Sequence, residues 1–225
     1  MHTDIAICKH CGLCTDACPV EASEIAGKTM TVAQVITEIE KDILFFDESS
    51  GGVTFSGGEP LYQPDFLGEL LETCQVQGIH TALDTSGFSR WEVINRVRKH
   101  VDLFLYDLKL MDDEKHRRFT GVSNRVILDN LRELSSRNHH IRIRFPVIPG
   151  ITDDQDNVTA IATFVASLPS APDVDILPYH GSGSAKYEGI GSSYSLPDLR
   201  PPSDADMARI AACFQEKKLN VTSGG

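Results

Sequence analysis

The chain alternates between short apolar runs and longer stretches in which apolar residues recur every three or four positions. The short runs start near residues 53, 80, 103, 141 and 174, and "LNVTS" at the C-terminal end has the composition of a last strand. Between them the spacing is helical. Thr31 stands where an N-cap belongs for one helix through "VAQVITEIEKDILFF". Pro64 opens "PDFLGELLETCQVQ", which Gly78 ends, and Ser89 is placed to cap "RWEVINRVRKH". Helical spacing returns over residues 112–119, 126–138, 153–167 and 203–217. Strand–helix repetition of this kind predicts an α/β fold with a parallel sheet. Periodicity leaves a closed barrel, an open partial barrel and a doubly wound sheet as alternatives. Residues 181–202, rich in Gly, Ser and Pro, have no period and are expected to form a surface loop or lid over the strand ends.

Charge and cysteine usage narrow this picture. A net charge of -11 argues against a nucleic-acid partner, because phosphate binding needs a basic face. No apolar run approaches the ~18–20 residues of a membrane span, and the N-terminus lacks the pattern of a secretory signal. Four of the six cysteines fall in "CKHCGLCTDACP", with the spacing C-x2-C-x2-C-x3-C-P at Cys8, Cys11, Cys14 and Cys18. Thiolates suit soft metals, and this run is the bacterial ferredoxin pattern for 4Fe-4S clusters, whose fourth cysteine serves a second cluster in two-cluster ferredoxins. Structural zinc is the competing occupant; it favours two separated C-x2-C knuckles. Reduced cysteines place the protein in the cytoplasm. Residues 1–28 are too short to bury a core, so a small ferredoxin-like segment precedes one α/β unit over 29–225. Cys74 and Cys213 lie in amphipathic helices as core thiols, and the "NVT" triplets at Asn157 and Asn220 are chance matches to a glycosylation signal.

The candidate chemistry falls at strand C-terminal ends, the edge that βα barrels use. "SGGEP" places Gly57, Gly58 and Glu59 directly after the first strand. Glycines let backbone approach a ligand, and Glu59 can accept from an ammonium; a plain strand–turn–helix connection explains the same residues. "LDTSG" and "YDLKLMD" place Asp84 and Asp107 at two further strand ends. Helix capping is the bland role for both aspartates, and solvation that of Lys109. Arg142 and Arg144 alternate with Ile141 and Ile143, so one strand face is basic and needs anionic partners. Arg144 is nearer the strand end and suits a bidentate clamp on a carboxylate. His180 ends the next strand, while the remaining histidines lack such a context.

Taken in order, "SGGVTFSGGEPL", "ALDTSGF", "LYDLKLMD", "HRRFTGVSN", "IRIRFPVIPGITDD" and "LPYH" resemble the glycyl-radical-enzyme activating enzymes, radical S-adenosylmethionine (SAM) proteins of the pyruvate formate-lyase activase type. The resemblance runs from about residue 5 to 180, and the cysteine run is similar to the ferredoxin-like insert of the larger members. It implies a partial (βα)6 TIM-type barrel. Gly57, Gly58 and Glu59 would line the SAM amino group, and Asp84, Thr85 and Asp107 would lie beside the SAM carboxylate. Lys109 and Arg144 would hold that carboxylate, and His180 would meet the adenine end. A 4Fe-4S cluster would reduce SAM to a 5′-deoxyadenosyl radical, which takes hydrogen from a glycine of a partner glycyl radical enzyme. Reduced flavodoxin or ferredoxin would donate the electron.

One departure stands beside this resemblance. The family holds its SAM-reducing cluster with C-x3-C-x2-C on the first barrel strand, and the 225 residues contain no such motif; Cys14 and Cys18 give the x3 step, but residue 21 is glutamate. The expectation is therefore an N-terminally shortened activase lacking its first strand, unable to cleave SAM alone, with the edge of "GGVTF" open to self-association. A non-catalytic SAM-binding or electron-transfer remnant, and a small-molecule βα-barrel enzyme with a zinc knuckle, are the alternative functions.

Overall fold

The computed structural model describes residue 9 and residues 11–20, 27–181 and 199–224. Among them a six-stranded, all-parallel sheet runs in chain order: β1 (Gly52–Phe55), β2 (His80–Thr85), β3 (Leu103–Asp107), β4 (Ile141–Val147), β5 (Asp173–Pro178) and β6 (Val221–Ser223). β1 and β6 lie at opposite ends of this order, so the sheet is an open, partial (βα) barrel. Six strands stand where the apolar runs place them.

A short helix α1 (Leu13–Asp16) lies in the cysteine-rich segment. Thr31 caps α2 (Val32–Glu40) through a capping box with Gln34. The single helix expected from Thr31 onward is two. The chain leaves helical geometry at Asp42 and restarts as α3 (Ile43–Ser49). Across the break Ile43 and Phe46 stay with the apolar cluster of Ile36, Ile39, Leu70, Cys74 and Ile79, while Leu44 and Phe45 face solvent. Pro64 opens α4 (Pro64–Val76) as expected. Ser89 is not a cap: α5 (Trp91–Val97) starts after Arg90 with no side-chain cap, and the Ser89 carbonyl instead accepts from Asn130 at 2.7 Å. The later helices are α6 (Asp113–Thr120), α7 (Arg125–Ser136), α8 (Gln155–Ala166) and α9 (Asp204–Glu216), with Asp112, Asp154 and Ser203 as caps of α6, α8 and α9.

Strand alternation divides the sheet into two unlike faces. Phe104 and Tyr106 on β3, Ile141, Ile143 and Phe145 on β4, and Val174 and Ile176 on β5 are buried against Leu71, Ile94, Leu131, Ile161 and Ile210 of the helices. The intervening positions form the other face, where register sets Asp107 beside Arg144, Leu105 beside Arg142, and Arg142 beside Asp173. Burial of about thirty apolar side chains on one face stabilises the fold and leaves the polar face free for chemistry. Among the described residues no helix is long and apolar enough to cross a membrane.

Candidate functional site

The polar face carries two tiers of charge. In the lower tier Arg142 meets Asp175 at 2.8 Å and Asp173 at 3.2 Å, and the Thr222 hydroxyl donates to Asp175. In the upper tier, at the C-terminal edge, Arg144 pairs with Asp84, and Lys109 meets Asp107 at 2.9 Å. The anionic partners demanded by two inward arginines are thus supplied by neighbouring strands. Neither Asp84 nor Asp107 caps a helix. All four upper-tier side chains are a quarter to a third exposed, so they are accessible to a ligand and only partly screened.

Glu59 follows β1 and is bound to the end of β2. Its Oε1 accepts from the Thr85 hydroxyl at 2.6 Å and the Leu61 N–H at 3.3 Å. Its Oε2 accepts from the Ser86 N–H at 2.9 Å and the Ser86 hydroxyl at 2.6 Å. Four donors fill the acceptor sites of a carboxylate. Glu59 therefore anchors the loop that presents Gly57 and Gly58, both exposed and both in the left-handed region, with φ of 86° and 47°. An added Cβ at either glycine meets nothing within 4 Å, so what they answer to is backbone conformation rather than crowding. Beside Glu59 opens a cleft of about 430 Å³ lined by Leu61, Tyr62, Pro64, Phe88 and Val126; Lys109 and Arg144 do not line it.

The β2 end is itself held rigidly. Gly87 has φ of 70° and lies against the Tyr106 ring, where a Cβ would fall 1.8 Å from the phenol oxygen. The Tyr106 hydroxyl donates to the Ile127 carbonyl at 2.7 Å. Burial, with a smaller contribution from the Glu59 charge, pushes the Tyr106 phenol well above its ordinary value. Asn130 donates to the Gly87 and Ser89 carbonyls at 2.9 and 2.7 Å.

The structure brings Glu59, Asp84, Thr85, Asp107, Lys109 and Arg144 to one sheet edge, linked by contact and register. His180 follows β5 at the same edge and is exposed. Cys8 and most of the 181–202 loop lie outside the described residues. Cys11 and Cys14 are exposed and Cys18 half-buried, and among the described residues no three His, Cys, Asp or Glu side chains are gathered as a metal group. Four thiols within eleven residues suit a 4Fe-4S cluster by donor chemistry. Two cations and a Gly-Gly loop at one edge suit the zwitterionic tail of SAM.

Sequence pattern missed Ser86 and the buried amides Asn124, Asn130 and Asn157. A signal for two of them existed. Asn130 shares the buried stripe of Ile127, Leu131 and Leu134, and Asn157 that of Val158, Ile161 and Ala162. A polar amide on an apolar stripe needs a buried partner.

Comparison with known proteins identifies the family. Residues 6–160 match the Radical SAM superfamily. The chain is 42% identical over 214 residues to the indoleacetate decarboxylase activating enzyme of Tractidigestivibacter scatoligenes, covering 94% of this chain and 67% of that protein. It is 42% identical over 207 residues to the trans-4-hydroxy-L-proline dehydratase activating enzyme of Clostridioides difficile, covering 91% and 68%. The crystal structure of a domain of pyruvate-formate lyase-activating enzyme from Bacteroides vulgatus superposes with a TM-score of 0.67 at 36% identity, over 78% of this chain and 99% of that one. The chain belongs to the radical SAM superfamily and, within it, to the glycyl-radical-enzyme activating enzymes. The family works with a 4Fe-4S cluster and SAM.

Proposed function

We propose that this chain grips SAM by its amino-acid tail at the C-terminal edge of the sheet, in the service of installing a glycyl radical on a partner enzyme. The observation that carries this reading is the pairing of Arg144 with Asp84 and of Lys109 with Asp107 on adjacent strands, next to the loop that Glu59 anchors. Arg144 and Lys109 supply charge for the ligand carboxylate, and Asp84 and Asp107 hold them aimed before the ligand arrives. The Gly57–Gly58 backbone faces the ammonium, with Glu59 adding negative potential behind it. Thr85 locks Glu59 in place. His180 borders the adenine end. When bound, a SAM-reducing 4Fe-4S cluster, whose C-x3-C-x2-C ligands are not among these 225 residues, and SAM would supply one-electron radical chemistry; this chain's residues bind, orient and neutralise.

Cys8, Cys11, Cys14 and Cys18 are proposed as iron ligands, with reduced flavodoxin or ferredoxin as electron donor and the cytoplasm as the setting. The partner is a glycyl radical enzyme acting on a small organic substrate. The site is tested by calorimetric titration of SAM into the wild-type chain and into Arg144→Ala and Lys109→Met. The expected result is a loss of about tenfold or more in each variant; equal affinity in all three would reject the site. Metal analysis after anaerobic reconstitution tests the cysteine run: iron with sulfide is expected, and zinc alone would reject it.

A further inference from the structure

Lys109 lies two residues beyond β3, in a connection whose backbone is held by two buried asparagines from two different helices. Asn157 on α8, 6% exposed, donates to the Lys109 carbonyl at 3.0 Å and to the Thr152 carbonyl at 2.8 Å, and accepts from the Met111 N–H at 2.9 Å. Asn124, 3% exposed and at the N-cap of α7, donates to the Leu110 carbonyl at 3.0 Å and the Met111 carbonyl at 2.7 Å. Three successive carbonyls and one N–H are therefore bound by two side chains. The strand ladder has stopped just before them, with the Leu108 N–H donating to the Arg144 carbonyl at 3.0 Å. Only a side-chain amide offers two donors and an acceptor in one plane. Satisfied amides in low dielectric rigidify what they hold.

We propose that Asn124 and Asn157 are positioning residues for Lys109: they fix the backbone from which its ammonium meets the ligand carboxylate. The inference rests on the Lys109 role proposed above and deepens it. The Lys109 ammonium rests on Asp107 at 2.9 Å, so the side chain is aimed from both ends, by Asp107 at the tip and by the asparagines at the root. A lysine on a loose connection loses rotamer and backbone freedom when it binds, and that loss weakens affinity. The clamp removes the backbone part of it. Neither asparagine needs to touch the ligand for this.

A merely structural clamp and a positioning clamp differ in ligand selectivity. SAM and 5′-methylthioadenosine share the adenosine and the sulfur, but only SAM has the amino-acid tail. Calorimetric titration of both ligands into the full chain compares wild type, Lys109→Met, Asn157→Asp, Asn124→Ser and the Lys109→Met/Asn157→Asp double variant, with circular dichroism melting to confirm folding. Asn157→Asp keeps the acceptor for Met111 and removes the donor to Lys109; Asn124→Ser carries the test if that variant does not fold. Lys109→Met is expected to lose about tenfold for SAM and nothing for 5′-methylthioadenosine. Each asparagine variant is expected to lose about threefold for SAM alone, and the double variant no more than Lys109→Met. Asparagine variants with a wild-type affinity ratio, or additive losses in the double variant, would overturn the proposal while leaving the Lys109 role intact. An unchanged ratio in Lys109→Met, or no SAM binding by the wild-type chain, would overturn the role and the proposal together.

Discussion

Arg144 on β4 reaches diagonally across β3 to pair with Asp84 on β2, although its register neighbours are Asp107 on β3 and Asp175 on β5. Asp84 sits opposite Leu105, so the ion pair bridges two strands over the apolar side chain between them. Removing one partner leaves the other half-buried and alone. Arg144→Ala is expected to lower stability by about 1–3 kcal/mol in urea unfolding and to weaken SAM binding. Adding Asp84→Ala is expected to restore most of the stability without restoring SAM affinity. Recovery of both would mean that Arg144 serves the fold alone.

Thr85 is a buried hydroxyl with two duties, donating to Glu59 and accepting from the Gly87 N–H at 3.0 Å. Thr85→Val keeps the shape and removes both bonds. A loss of about 1–3 kcal/mol is expected, with weaker SAM binding as the Gly57–Gly58 loop loosens. Thr85→Ser should stay close to wild type by both measures. Chemical denaturation and calorimetry on the pair decide the point.

Gly87 cannot carry a side chain. Its φ of 70° and the Tyr106 ring at the Cβ position together predict that Gly87→Ala costs about 2–4 kcal/mol. Tyr106→Phe removes only the bond to the Ile127 carbonyl, a loss of about 1 kcal/mol. The double variant is expected to remain as unstable as Gly87→Ala, because the ring carbon bearing the hydroxyl lies 2.1 Å from the added methyl. Thermal melts with matched urea titrations measure all three.

Asp113 gives a pH signature. The Ser123 hydroxyl, then the Asn124 N–H and Arg117, work against the desolvation of this carboxyl and pull it from an ordinary 3.8 to about 2. A carboxylate favoured in the fold contributes stability that is whole above the unfolded value and lost as pH falls through the folded one. The difference in stability between wild type and Asp113→Asn is therefore expected to be constant above about pH 4 and to shrink toward pH 2. A difference that grows on acidification would contradict this arrangement. Urea unfolding across that range provides the curve.

What the sequence determined was local. Strand starts, the Thr31 cap, the Pro64 opening and the ordered motifs of the family are all short-range, set by periodicity and by hydrogen bonds within a turn. The break at Asp42 escaped that pattern because both halves keep the same apolar phase against α4 and β1. Arg144 could be assigned a need for an anion, but not Asp84 sixty residues away, since the choice follows from the stagger of three parallel strands. Glu59 looked free for an ammonium; only the folded sheet brings Thr85 and Ser86 to its oxygens. The asparagine clamps on Lys109 come from α7 and α8, so tertiary packing alone decided them: a buried amide finds its partners where helices meet loops, and no spacing along one element encodes that meeting.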